Sequence, residues 1–156
     1  MIEISIPGYR KLQLKHLVMD YNGTMACDGK LFDGLTEILE KLSDKLQVHV
    51  LTADTFGNVK SELSRVPADI SVLPADSQDK HKLEYIRRIG QEFTVCIGNG
   101  RNDRLMLESA GLGIVLIQEE GANVETLLSA DVVCKDIISA LKLLLNKKRL
   151  VATLRS

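Results

Sequence analysis

The chain has 156 residues, of which 45% are hydrophobic and 26% charged, and its formal net charge is -1. This length favours one domain, residues 1–156, with a core that needs no disulfides or metal to hold it together. The near-neutral charge gives no reason to expect nucleic acid as a partner, and no apolar run is long enough to span a membrane. We expect a cytoplasmic protein, because no signal peptide is apparent and the three cysteines lack metal-site spacing.

Strand-like and helix-like segments alternate along the chain. Ile2, Ile4 and Ile6 alternate with polar residues and predict a half-buried strand that ends at Pro7. Residues 12–19 lead into the first polar motif, with Leu17, Val18 and Met19 as a buried parallel strand, and apolar residues at helical spacing over 35–46 predict a helix with Asp33 as its N-cap. The other predicted elements are strands over 47–51, 70–73, 93–97, 112–117 and 131–134, and helices through Val59 and Leu63, through Leu83, Ile86 and Ile89, through Leu105 and Leu107, and from Ile137 to Leu145.

This alternation predicts a three-layer α/β/α sandwich, a Rossmann-like α/β fold with a mostly parallel sheet. Side chains at the carboxyl ends of parallel strands meet in one crevice. Two polar motifs follow apolar runs of this kind, namely DYNGT at residues 20–24 and GNGRND at residues 98–103. We therefore expect both motifs, with the carboxylates of Asp20 and Asp103, to line the same crevice.

The DYNGT motif has two interpretations. A carboxylate at Asp20, just beyond a buried strand, can act as a nucleophile or a metal ligand. Gly23 lets the backbone turn and point amide hydrogens at an anion, and Thr24 adds a hydroxyl group. The alternative is a plain hairpin, because Asn-Gly is a strong two-residue turn sequence. The motif alone leaves both interpretations open.

Four consecutive strand–helix junctions present Asp20, Thr52, Lys82 and Asp103 in that order. Phosphoryl transfer needs a nucleophile, a hydroxyl group and a cation for the phosphoryl oxygens, and a carboxylate for magnesium. A dinucleotide-binding loop is disfavoured, because Asp103 stands where that loop requires its third glycine. The ordered set therefore predicts phosphoryl transfer.

In these motifs the chain resembles the haloacid dehalogenase superfamily of phosphatases and phosphotransferases. Within it, the chain is most similar to small soluble proteins related to the phosphorylation domain of P-type ATPases. The resemblance runs from about Leu17 to Leu145 and rests on DYNGT, on LTAD at residues 51–54, on Lys82 and on GNGRND.

This resemblance implies a magnesium-dependent phosphohydrolase in which Asp20 forms an aspartyl-phosphate. It assigns Thr52, Lys82, Ala53, Gly23 and Thr24 to phosphate binding, with Lys80 as an alternative to Lys82. It assigns Mg²⁺ to Asp20, the backbone carbonyl of Asn22 and Asp103, with the side chain of Asn99 as a further ligand. Asp54 is expected either to cap the next helix or to assist the phosphate site.

Two asparagines depart from the superfamily pattern. Asn22 replaces the aspartate that exchanges protons with the leaving group and with water, and such catalysis is worth ~10²–10⁴-fold. Asn99 replaces an aspartate that superfamily members commonly have at this position of the second motif, GNGRND. We expect slow turnover, a comparatively long-lived aspartyl-phosphate, weak magnesium affinity and little repulsion of a phosphate dianion.

Little of the chain is left over for a cap domain. Residues 25–32 have room only for a small flap, with Asp28 and Gly29 at its tip. The segment between Thr52 and Lys82 is already used by a predicted helix and strand. The resemblance to capless members implies a homo-oligomer that acts on a phosphorylated small molecule or another phosphorylated substrate.

Two other functions stay open. One is a phosphate-binding or phospho-aspartyl regulatory module with little or no turnover, and the other is a scaffold without activity. A response-regulator receiver is disfavoured, because residues 2–6 lack the acidic pair that such proteins need near the first strand. His49 is expected to be a packed structural residue and Cys96 a buried small hydrophobe.

Overall fold

The structure is a computed structural model that describes residues 1–53 and 59–156. Asp54 lies outside the described residues. The strands are β1 (Ile2–Ser5), β2 (Lys11–Leu14), β3 (His16–Asp20), β4 (Ala26–Cys27), β5 (Lys30–Leu31), β6 (Gln47–Thr52), β7 (Asp69–Val72), β8 (Thr94–Gly98), β9 (Leu112–Leu116) and β10 (Val132–Cys134). The α-helices are α1 (Leu35–Ser43), α2 (Val59–Glu62), α3 (Gln78–Ile89), α4 (Arg104–Ser109), α5 (Val124–Ser129), α6 (Ile137–Leu145) and α7 (Lys147–Leu154), with 3-10 turns at Gln91–Phe93 and Arg101–Asp103.

Six strands form one parallel sheet in the order β10-β9-β8-β3-β6-β7. Every residue of β8 and β9 is buried, as expected for parallel strands covered on both faces. In β3, Met19 packs into a core cluster with Leu39 of α1, whereas Val18 packs into a second cluster with Ile86 of α3 and Met106 of α4. Helices therefore cover both faces of the sheet, and the predicted three-layer α/β/α fold is confirmed.

Within the segment 12–19, the buried parallel strand predicted at residues 17–19 is confirmed. The segment forms two strands, of which β2 pairs antiparallel with β1 in a separate sheet and β3 enters the parallel sheet. The break falls at Lys15, whose backbone N–H donates to the carbonyl of Phe93 at 2.8 Å. The burial pattern changes at the same point, from alternate residues around Leu14 to consecutive residues from Leu17.

The prediction of Asp33 as the N-cap of α1 is wrong. Gly34 occupies this position instead of Asp33, with a left-handed φ of 76° and no side-chain capping bond. Helix α1 ends at Ser43, so the buried Leu46 lies beyond it. Helices α5 and α7 are not predicted from the sequence, because neither buries a repeated apolar face: the buried residue of α5 is Thr126 and that of α7 is Leu150.

A small hairpin follows the first motif, in the segment for which a flap is predicted. Strands β4 and β5 pair antiparallel, and Asp28 and Gly29 form the tip with φ of 50° and 78°. In the described part of the chain between Thr52 and Lys82, the regular elements are α2, β7 and the start of α3, and no cap domain is present. None of the described helices has the length and apolar character needed to traverse a bilayer.

Candidate active site

A crevice of about 290 Å³ lies at the carboxyl edge of the parallel sheet. It is formed where β3, β6 and β8 end next to one another, because these three strands are neighbours in the sheet. Among the described residues, those that line it are Asp20, Asn22, Ala53, Gln78, Asn99, Gly100, Asn102 and Glu120. The fold therefore brings the two motifs together, as the sequence predicts.

Lys82 joins the carboxylates of the two motifs from behind the crevice. Its Nζ donates hydrogen bonds to Oδ1 of Asp20 and to Oδ1 of Asp103, each at 2.6 Å. The lysine is 1% exposed and Asp103 is 0% exposed, so these are buried ion pairs. Lys80, the alternative in the sequence, is exposed on the same helix and does not line the crevice.

The burial of this group of charges shifts their proton affinities. Burial raises the pKa of Asp20 to about 7, the nearby Asp103 adds to the increase, and Lys82 opposes it. Burial works to lower the pKa of Lys82, but the carboxylates of Asp103 and Asp20 outweigh it, and the net pKa is raised. Lys82 therefore stays a cation beside the predicted nucleophile.

The carboxylate of Asp103 is held on both of its oxygens. Oδ1 accepts from Lys82, while Oδ2 accepts from the backbone N–H groups of Asn99 and Gly100, each at 2.9 Å. Gly98 makes room for this arrangement, because a Cβ on that residue would lie 2.4 Å from Cγ of Asp103. Because Oδ1 accepts a single hydrogen bond and keeps a second lone pair, these bonds fix the position of Asp103 without excluding a metal ion.

The DYNGT motif forms a tight turn at the edge of the crevice. Gly23 has a left-handed φ of 76°, and its N–H donates to the carbonyl of Ala26 at 2.8 Å. Thr24 is fully buried, and its hydroxyl donates to Oδ1 of Asn99 at 3.4 Å. The hairpin interpretation of Asn22-Gly23 is wrong, because β3 pairs parallel with β6 and β8 and the nearby hairpin has its tip at Asp28 and Gly29. The turn instead positions Asp20 and Asn22 in the crevice.

The two asparagines have different surroundings. Oδ1 of Asn22 is buried and has no hydrogen-bond partner among residues 1–53 and 59–156. Asn99, in contrast, is anchored, since its Nδ2 donates to the carbonyl of Gly121 at 2.9 Å and its own carbonyl accepts from the N–H of Asn123 at 2.9 Å. Of the two side chains, Asn22 is the one with an unused oxygen at the crevice.

The remaining predicted residues lie at the end of β6. Thr52 is its last residue and is 2% exposed, and Ala53 follows it as part of the crevice lining. The predicted burial of His49 and Cys96 is confirmed, since His49 is 3% exposed and Cys96 is fully buried.

Four described residues that line the crevice were not predicted as site residues from the sequence, namely Gln78, Gly100, Asn102 and Glu120. Nδ2 of Asn102 donates to Oε1 of Gln78 at 2.7 Å, which links α3 to the second motif. Glu120 lies in the segment after β9, which is also a parallel strand of the central sheet. Its position after a strand is the feature by which the sequence could have revealed it.

Two sequence relatives come from Methanocaldococcus jannaschii. An uncharacterized protein is 57% identical over 61 residues, which is 39% of this chain and 66% of that protein. A protein named soluble P-type ATPase-like phosphatase is 26% identical over 129 residues, which is 79% of this chain and 47% of that protein. The chain thus spans less than two thirds of the length of either relative. No family profile matches it.

Solved structures share the fold over nearly the whole chain. A cobalt-bound deoxy-D-mannose-octulosonate 8-phosphate phosphatase from Haemophilus influenzae has a TM-score of 0.72 at 13% identity, covering 92% of this chain and 94% of that one. A 3-deoxy-D-manno-octulosonate 8-phosphate phosphatase from Moraxella catarrhalis, in complex with magnesium, phosphate and KDO, has a TM-score of 0.68 at 16% identity. The match covers 90% of this chain and 93% of that one. A Bacteroides thetaiotaomicron phosphatase of the haloalkanoate (HAD) superfamily has a TM-score of 0.61 at 14% identity, covering 90% and 96%. The chain therefore has the fold of haloacid dehalogenase superfamily phosphatases.

The oxygen donors at the crevice suit a hard cation. Asp20, Asn22 and Asn99 present carboxylate and amide oxygens to the crevice, and Mg²⁺ prefers oxygen ligands of this kind. The buried Oδ1 of Asn22, without a partner among the described residues, also fits a site completed by an ion or its bound water. The described residues hold no cluster of three or more histidine, cysteine, aspartate or glutamate side chains arranged for a metal. The amide and carbonyl oxygens are therefore needed to complete a magnesium site.

Proposed function

We propose that this protein is a magnesium-dependent phosphohydrolase that acts through an aspartyl-phosphate on Asp20. The observation that carries the proposal is the pair of 2.6 Å bonds from Lys82 to Asp20 and Asp103 at the crevice. A buried ammonium group beside a carboxylate at the end of a strand suits a nucleophile that must receive a phosphoryl dianion. The name of the 26% identical relative, a phosphatase, supports the same activity.

In the first step, an oxygen of Asp20 attacks the phosphorus atom of the substrate. The bond between phosphorus and the leaving oxygen breaks, and that oxygen departs with the bonding electron pair. Lys82 and the hydroxyl of Thr52 stabilise the charge on the phosphoryl oxygens. Asp20, Asn22, Asn99 and Asp103 are the residues that would hold magnesium, and a bound magnesium ion would neutralise part of that charge.

In the second step, water attacks the aspartyl-phosphate and releases inorganic phosphate, which restores the carboxylate of Asp20. In both steps a proton must move, from an acid to the leaving oxygen and from the attacking water to a base. The amide of Asn22 cannot do either, so both protons are exchanged with solvent or with another group. We infer slow turnover and a preference for leaving groups that need no proton, such as those of acyl phosphates.

The leaving group has room next to the crevice. Gln78 and Asn102 line both the crevice and a neighbouring cavity of about 440 Å³. Arg101, Arg104 and Asp79 also line that cavity, so its described lining is polar and carries charges of both signs. This lining favours a polar leaving group.

The test is hydrolysis of acetyl phosphate and para-nitrophenyl phosphate with and without magnesium. Wild-type protein should turn over acetyl phosphate faster, and chelation of magnesium should abolish both activities. Asp20→Asn should lose activity, whereas Asp44→Asn, the same change at an exposed position, should keep it. Activity of Asp20→Asn equal to that of wild type would remove Asp20 from the mechanism.

A phospho-aspartyl regulatory module is the second candidate. The observation that favours it is the amide at Asn22, because loss of acid-base catalysis prolongs the life of the aspartyl-phosphate. This function would be supported if acetyl phosphate labels Asp20 with one phosphoryl group per protein molecule and no further acetyl phosphate is hydrolysed. The homo-oligomer stays a prediction, to be checked by light scattering.

A further inference from the structure

The crevice contains a carboxylate that none of the superfamily motifs supplies. Among the described lining residues, the carboxylates are those of Asp20 and Glu120. Asp103 lies behind them, with both oxygens engaged by Lys82 and two backbone N–H groups. The two negative charges that face the crevice are thus different from the pair that the sequence suggests.

The carboxylate of Glu120 lies close to the side chain of Asn99. Oε2 of Glu120 is 2.6 Å from the point that a Cβ on Gly23 would occupy, and the same point is 2.6 Å from Nδ2 and 2.8 Å from Oδ1 of Asn99. The missing side chain at Gly23 therefore leaves a space in which both groups meet.

Hydrogen bonds hold the segment around Glu120 against both motifs. On one side, Nε2 of Gln118 donates to the carbonyls of Gly23 at 2.9 Å and Thr24 at 3.0 Å. On the other side, Gly121 accepts from the side chain of Asn99, as described above. Glu120 stands between these anchors, so its backbone has a defined position although its side chain is exposed.

We propose that Glu120 is a magnesium ligand, directly or through a bound water, and supplies the negative charge that is missing at Asn99. This inference rests on the proposed function, since it concerns the metal of that site. With Asp20 it makes two crevice-lining carboxylates, and magnesium sites usually use one or two carboxylates together with waters and substrate phosphates. The buried, unpartnered Oδ1 of Asn22 lines the same crevice and adds a neutral oxygen.

The test compares the magnesium affinity of Glu120→Gln with that of Glu119→Gln by isothermal titration with MgCl₂. Glu119 is a matched control, because it is the adjacent residue, is also exposed and does not line the crevice. The Kd for magnesium should rise at least tenfold in Glu120→Gln and less than twofold in Glu119→Gln. Equal affinities in the two variants, or no magnesium binding by wild type, would overturn the inference.

A second variant tests the link to Asn99. In a Glu120→Gln background, Asn99→Asp returns one negative charge to the same place and should restore most of the magnesium affinity. A double variant that binds magnesium as weakly as Glu120→Gln would overturn the charge argument. Unchanged magnesium affinity in Glu120→Gln, with loss of one limb of the kcat pH profile, would instead make Glu120 a proton-transfer group.

The binding measurement separates this inference from the proposed function. Wild-type protein that binds magnesium through Glu120 but releases no phosphate would keep the inference and remove the phosphohydrolase. Magnesium-dependent turnover by wild type, with equal magnesium affinities in Glu120→Gln and Glu119→Gln, would keep the phosphohydrolase and remove the inference about Glu120. Circular dichroism melts of each variant confirm that the protein is folded before titration.

Discussion

Nζ of Lys82 lies 2.6 Å from Oδ1 of Asp103, although 21 residues separate them in the chain. The same nitrogen bonds Asp20 at the same distance, so one buried cation compensates two carboxylates from different motifs. Asp103 is in turn tied to the backbone of the second motif. The resulting network connects β3, α3 and the segment after β8, and it couples the stability of the fold to the candidate active site.

Removal of this cation should destabilise the protein. Lys82→Met leaves two buried carboxylates without their partner, a change that typically costs about 3–5 kcal/mol. The loss should be larger at pH 8 than at pH 5, because Asp20 becomes protonated more readily without Lys82, and a neutral carboxyl no longer repels Asp103. Urea unfolding at both pH values measures it, with the exposed Lys80→Met as control. Similar losses in the two variants would contradict the buried-pair description.

Replacing the amide of Asn22 with a carboxyl group should accelerate turnover. Asn22→Asp replaces the buried, unpartnered amide oxygen with a carboxyl group that can exchange protons with the leaving oxygen and with water. We expect kcat for para-nitrophenyl phosphate to rise by ~10²-fold or more, and by less for acetyl phosphate, whose leaving group needs no proton. A rise of equal size for both substrates would argue against proton transfer as the limiting deficit.

A methyl group at Gly98 should disturb the second motif. In Gly98→Ala the new Cβ would approach Cγ of Asp103 to 2.4 Å, and the carboxylate cannot swing away without breaking its bonds. We expect a loss of about 1–3 kcal/mol in the free energy of unfolding, as for other overpacked sites, together with loss of activity. Gly100→Ala is the control, since its nearest neighbour is the far end of the Asn102 side chain. Full stability of Gly98→Ala would show that the network can relax.

Two histidines at the opposite end of the sheet should make stability depend on pH. Nδ1 of His16 lies 3.1 Å from Nε2 of His49, and Nδ1 of His49 lies 3.0 Å from the hydroxyl of Tyr85. Burial lowers the pKa of His16, and the positive charge of Lys15 lowers it further. Burial also lowers the pKa of His49; His16 lowers it further, whereas the carboxylate of Asp69 raises it.

The unfolded chain therefore binds more protons than the native one below the ordinary histidine pKa of 6.5. The stability that the neutral rings contribute is present above that pH and is lost as the pH falls, by at most about 1.4 kcal/mol per pH unit for each histidine. His49→Gln should flatten the fall in urea-unfolding free energy between pH 7 and pH 5, relative to the same change at His81. An unchanged slope would mean that other groups control the acid response.

The parallel strands and the order of the motifs could be predicted because they depend on local patterns. Runs such as Val95 to Ile97 are apolar on both faces, which only a covered sheet accommodates, and polar residues that follow such runs must meet at the carboxyl edge. The start of α1 could not be predicted in the same way, because the choice of Gly34 over Asp33 depends on how the chain enters the helix rather than on capping preference.

The sequence by itself determined the fold class and the set Asp20, Thr52, Lys82 and Asp103, since these follow from periodicity and from residue types at successive strand ends. The tertiary structure alone decided how the charges are distributed among them. It turned Asp103 inward to Lys82, left Oδ1 of Asn22 without a partner among the described residues, and brought Glu120 to the crevice. Such outcomes depend on distances between residues far apart in the chain, and electrostatic energy varies with those distances and with burial rather than with sequence position.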